Sequence, residues 1–231
     1  MIRRIKDYGK KAPCRDAHKV YIVCEGAGTE PDYFAFFEGC SSNLQIITIP
    51  PSDGTDPLKL MERAKDMLLR ENHTYTDTPD YQHGDTIWFV IDTDTWEKEG
   101  KITPLRTFCK QQNKNISDKY DEVKPYRAWN VAQSNPCFEI WLYYHFYDNK
   151  PCADEIDKSK SFKDFVNQSI NGGFNFSVHP AYMESAIANA KNNFALKEGT
   201  LDSYSTEMFL LGSEILKFTK RELDKLKNKL G

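Results

Sequence analysis

No run of apolar residues in this 231-residue chain approaches the roughly 18 that a bilayer-spanning helix requires. Its opening, MIRRIKDYGKKAPCRD, is basic but lacks the apolar stretch of about 7 to 15 residues that marks a secretory signal. The six cysteines include no C-x-x-C pair, and several sit in apolar runs where a free thiol behaves as a small hydrophobe. These absences point to a soluble protein of a reducing, cytoplasmic compartment. Cys14 and His18 are spaced like half of a zinc site, but no second Cys/His pair follows, which argues against structural zinc. There is also no internal repeat and no low-complexity linker. One core with a small appendage is therefore expected.

Charge is unevenly placed. Residues 1–19 hold seven Lys and Arg against two Asp, and residues 217–231 hold six against two acids, so a chain of net charge −3 carries −12 between its ends. An acidic body repels nucleic acid unless a cation neutralises it locally, whereas basic ends hold phosphates without sequence preference. Arg3 and Arg4 in the arm, and Lys191 in the run AIANAKNN, are the candidate phosphate contacts. A solvated arm and an ordinary charged helix end are the plainer account of the termini.

HKVYIVCEG reads as a short buried strand over Val20 to Cys24 that ends at Glu25 and Gly26. Thr29, with Asp32 three residues on, has the capping pattern for a helix whose apolar face is Tyr33, Phe34 and Phe37. NLQIITIPP is a second strand, followed by a helix opened by Asp56 and Pro57 and running through Leu60, Ala64, Met67 and Leu68. TIWFVIDTD is β-branched and aromatic without alternation, the pattern of a central strand covered on both faces. Pro104 to Gln112 reads as a helix, PYRAWNVAQ as a fourth strand, and CFEIWLYYHF after Asn135 and Pro136 as an apolar helix. Four strand-then-helix units predict an α/β fold with a doubly wound parallel sheet and helices on both faces. Beyond Asn149 the pattern is helical, near Ser161 to Ser169, Ala181 to Asn193 and Thr206 to Leu230. The last has an apolar face of Leu210, Leu211, Ile215, Leu226 and Leu230. The expected divisions are a basic arm (1–19), an α/β core (20–148) and a helical region packed on it (149–231).

Ligands of open α/β sheets gather beyond the carboxyl ends of the strands, where Glu25, Asp92 and Asp94 fall. Asp92 and Asp94 are two apart, so in extended backbone they point the same way. Two hard oxygens there with a third from another strand suit Mg²⁺ or Mn²⁺. An Asp-x-Asp after a strand is also a common polar turn, and Gly26-Ala27-Gly28-Thr29 is neither a P-loop nor a dinucleotide fingerprint. Glu139 lies in the first turn of its helix, either stabilising the helix end or joining the catalytic residues as a fourth metal ligand or substrate-positioning group. Ser134 and Asn135 either cap that helix or brace the aspartate loop. Trp141, Phe138 and Phe146 read as core, and His145 as a satisfied structural histidine.

VYIVCEGAGTEPDYF, FVIDTDTW and SNPCFEIWLYYHF resemble the three signature blocks of the RloB-like proteins, a TOPRIM-related family associated with bacterial phage defence and restriction loci. The resemblance covers residues 20 to 146 and thins after Asn149. It implies a TOPRIM-like core in which Glu25, Asp92 and Asp94 bind Mg²⁺ or Mn²⁺ for phosphodiester chemistry on DNA or RNA, tRNA included. Family members are commonly encoded beside an ATPase, so an ATPase partner is implied, and with it the alternative of a regulated or non-catalytic subunit. Thr95 and Trp96 stand where many members carry charged residues. No tyrosine is marked as a nucleophile, which favours hydrolysis by water over strand passage. FVIDTDT also fits the nucleophile motif of haloacid dehalogenase-like phosphatases, with Ser134 resembling their second motif. Their nucleophile normally follows the first strand, and the later acidic pair they need is not found here.

Overall fold

The computed structural model describes residues 10–52, 54–69, 78–93, 95–120 and 127–230. Four parallel strands, β1 (His18–Cys24), β2 (Leu44–Ile49), β3 (Thr86–Asp92) and β4 (Trp129–Ser134), form one sheet in the order β2-β1-β3-β4. Helix α1 (Thr29–Ala35) joins β1 to β2, α2 (Pro57–Leu68) carries the chain back across β1 to β3, and α3 (Ile102–Lys119) joins β3 to β4. The chain thus reverses direction between β1 and β3. That is the topological switch point of a doubly wound sheet.

Strand alternation sorts the core. Val20, Ile22, Cys24, Trp88 and Val90 meet Tyr33 and Phe34 of α1, Phe37 just beyond it, and the later helices. Tyr21, Val23, Ile87, Phe89 and Ile91 face the other way, onto Leu60, Ala64 and Leu68 of α2 and Leu105 and Cys109 of α3. Every residue of β3 is buried, as a strand covered on both faces must be. The fold class is the one the sequence predicts.

Local differences have physical causes. Asp56 does cap α2, its Oδ1 accepting from the Leu58 and Lys59 amides at 3.0 and 3.3 Å. Thr29, in contrast, is the first residue of α1 and Gly28 the cap, with no side-chain capping bond. The third helix runs well past Gln112. The apolar run after Pro136 gives only a short helix, α4 (Glu139–Tyr143), which tightens into i→i+3 bonds from His145 and Phe146 back to Leu142 and Tyr143.

Beyond it come α5 (Ala153–Ile156), α6 (Phe162–Ser169), a 3-10 turn (His179–Tyr182), α7 (Met183–Asn192) and α8 (Met208–Leu230). A two-stranded antiparallel hairpin, β5 (Leu196–Lys197) with β6 (Thr200–Leu201), interrupts this helical region and carried no strand signal, being two residues a side. Leu211 and Ile215 of α8 are buried, but Leu210 is 45% exposed and off the packing face. Phe146, read as core, is 43% exposed, lying edge-on to Phe174 and His179. No helix among the described residues is long and apolar enough to cross a membrane.

Candidate active site

Glu25 continues β1 past its last strand residue, its amide donating to the Val90 carbonyl at 3.1 Å. This places its side chain against the end of β3, where the Asp92 amide donates to Glu25 Oε2 at 2.8 Å. The Trp96 indole Nε1 donates to the other oxygen, Oε1, at 2.8 Å. Trp96 is thus no loss of polarity where charged residues were expected. It orients Glu25, with Lys101 Nζ lying 4.6 Å from the centre of its ring.

Asp92 is the last residue of β3, paired in register with Ser134 of β4. Its Oδ1 accepts from the Phe138 amide at 2.8 Å, which pins the entry of α4 and brings Glu139 alongside. Ser134 braces the aspartate loop and does not cap α4: its carbonyl accepts from the Thr93 amide and hydroxyl at 2.8 and 2.9 Å. Asn135 turns away, donating to the Leu201 carbonyl at 2.8 Å. Gln133 donates to Thr93 Oγ1 and accepts from Arg106, both at 2.8 Å, and Arg106 also pairs with Glu207 at 2.6 Å. The loop after β3 is therefore held by β4 directly and, through Gln133, by Arg106 of α3.

A fourth carboxylate, Glu30 in the first turn of α1, folds back so that Oε1 accepts from the Gly26 amide at 2.9 Å. Gly26 is needed for this, because a Cβ there would collide with the Glu30 carboxylate. Sequence reasoning did not select Glu30, although an acid in a helix's first turn five residues after Glu25 was a readable signal.

Glu25, Glu30, Asp92 and Glu139 are all at least nine-tenths buried. Burial, and then the charges of Glu25, Glu30 and Glu139, hold the Asp92 carboxyl well above its ordinary range. Burial also raises Glu30, with the Glu139 charge adding to it against the opposing hydrogen bonds. Glu139 Oε2 is buried without a hydrogen-bond partner, while Oε1 lies 3.5 Å from Lys163 Nζ of α6. Burial disfavours the Lys163 charge, but Glu139 and Asp92 outweigh it and raise its pKa. Cys24 and Cys137 are raised by burial and by these same acids, so neither supplies a thiolate nucleophile.

Asp94, Arg3 and Arg4 lie outside the described residues. Among those described, no group of three His, Cys, Asp or Glu is arranged to hold a metal ion. Lys191 is exposed on α7, between Asn189 and Asn193, which bond the Tyr144 and Asp148 carbonyls beyond the far end of α4 from Glu139. His145 is fully satisfied, Nδ1 against the Trp141 carbonyl at 3.0 Å and Nε2 against the Tyr33 hydroxyl at 3.2 Å.

A family model described as RloB-like protein matches residues 20–215. The chain belongs to the RloB-like family. The RloB-like match runs through α6 and α7 into α8, so the region after Asn149, where the resemblance thins to the eye, is part of the family's own sequence. No curated protein and no solved structure matches the chain.

Proposed function

We propose that this RloB-like protein is a metal-dependent nuclease of TOPRIM type that cleaves phosphodiester bonds in DNA or RNA, as a defence effector working with an ATPase partner. The observation carrying this is the burial of Glu25, Glu30, Asp92 and Glu139 together at the switch point of the sheet. Buried like charges are costly without a compensating cation. The donor set fits Mg²⁺ or Mn²⁺: the oxygens are hard, Glu139 Oε2 is unpartnered, and the amide bond to Asp92 engages Oδ1 only. Glu25 and Asp92, with Asp94 as the expected third ligand, would hold the ion. Bound there, it supplies Lewis acidity and charge neutralisation at a scissile phosphate.

The protein's own residues orient and move protons. The Trp96 indole and Asp92 amide fix both oxygens of Glu25, which ligates or takes the proton of the attacking water at a carboxylate oxygen. The Phe138 amide fixes Asp92. The deciding test is cleavage of DNA, RNA and tRNA by purified protein in Mg²⁺ and Mn²⁺. Asp92→Asn, Asp94→Asn and Glu25→Gln should each abolish it without unfolding the chain, and EDTA should mimic them. A phosphatase would keep activity in Glu25→Gln and trap phosphate on Asp92. Wild-type protein inert on all three substrates, with metal and ATPase partner supplied, would leave the non-catalytic subunit.

A further inference from the structure

Lys163 stands out among the cations because its ion pair with Glu139 is loose and leaves it largely exposed. It is the second residue of α6, in the turn where the helix dipole disfavours positive charge. Its 3.5 Å separation from Glu139 is looser than a charge-assisted hydrogen bond of about 2.7 to 2.9 Å. Lys150 and Lys227, in contrast, pair with Asp202 and Asp224 at 2.8 Å. The Lys163 side chain is 62% exposed while Glu139 beneath it is buried, so the ammonium sits on the solvent side of the carboxylates with donors left over.

We propose that Lys163 holds the phosphate of the nucleic-acid strand over the carboxylates. This rests on the nuclease reading above. A carboxylate cluster repels a phosphodiester, and a lysine point charge at its open side offsets that repulsion and the negative charge that develops during cleavage. Glu139 keeps the ammonium there, acting as a positioning residue.

The test is binding of phosphorothioate oligonucleotides, DNA and RNA in separate arms, by full-length protein in Mg²⁺ across a salt series. Lys163→Met should weaken binding about tenfold and lower the slope of log K against log salt by about 0.7 on single strands and about 0.9 on duplex, one phosphate contact's worth. Lys163→Arg should restore most of the affinity, and thermal stability should hold in both variants. Wild-type binding with an unchanged slope in Lys163→Met overturns this assignment alone. Absence of wild-type binding in both arms overturns it together with the nuclease reading.

Discussion

His145 shows how a single side chain records its surroundings. Burial, reinforced by the neighbouring His179 charge and opposed by the Trp141 carbonyl bond, lowers its pKa from 6.5 to about 3. Between those values the unfolded chain binds a proton that the folded chain refuses. Stability from this residue is therefore complete above about pH 6.5 and is lost as pH falls toward 3, with a slope approaching ~1.4 kcal/mol per pH unit. Urea midpoints from pH 7 to 4 should fall less steeply in His145→Gln than in the wild type; parallel curves would mean that His145 is protonated in the fold. Gly26 makes the second residue-scale case. Gly26→Ala pushes the Glu30 carboxylate off the Gly26 amide, so activity should fall while the unfolding free energy from urea denaturation changes by no more than about 1 kcal/mol. Full activity in that variant would remove Glu30 from the site. The places of Glu25 and Asp92 at the carboxyl ends of β1 and β3 were legible from the strand runs that precede them. Glu30 was legible only as an acid in a helix's first turn, because its return toward Glu25 depends on the turn at Gly26.

At the level of elements, the strands were the most legible part, since parallel strands buried on both faces must be continuous apolar runs. The short α4 was the least, because CFEIWLYYHF is apolar all round and gives no period from which a length can be read. Where helices pack is set by contacts no local pattern contains. Gly212 of α8 is the clearest instance: a Cβ there would lie 3.2 Å from Trp141 Cη2 and 3.2 Å from Ile187 Cγ1, so the helix rests directly on α4 and α7. Gly212→Ala gains about 1 kcal/mol of helix propensity and loses a comparable amount to crowding, so it should be near neutral. Gly212→Val adds bulk that the buried Trp141 cannot yield to, and should cost about 1 to 3 kcal/mol in chemical denaturation. A silent valine variant would show that α8 is free to shift off Trp141.

Across the whole molecule, charge and chemistry separate. Glu207, just before α8, bonds Gln133 at the carboxyl edge of the sheet, while Glu214 bonds His18 and Trp88 toward the opposite edge. Further along α8, Glu222 meets Lys11 of the N-terminal arm at 3.2 Å and Lys225 at 3.0 Å. About 22 Å of helix separates Glu207 from Glu222 at 1.5 Å per residue, so the basic ends described here gather away from the carboxylates. The repulsion within the carboxylate cluster is consequently not relieved by the tail, and global stability should report it. Without divalent cation, Asp92→Asn removes one buried negative charge yet keeps an oxygen for the Phe138 amide, and should melt above the wild type. With Mg²⁺ at about ten times its Kd, the wild type gains ~1.4 kcal/mol, or roughly 3 to 6 °C for a chain of this size, while the variant gains little. The two melting temperatures should therefore converge or cross as Mg²⁺ is titrated. Parallel responses in wild type and Asp92→Asn would place the cation elsewhere and remove the ground on which the nuclease reading stands.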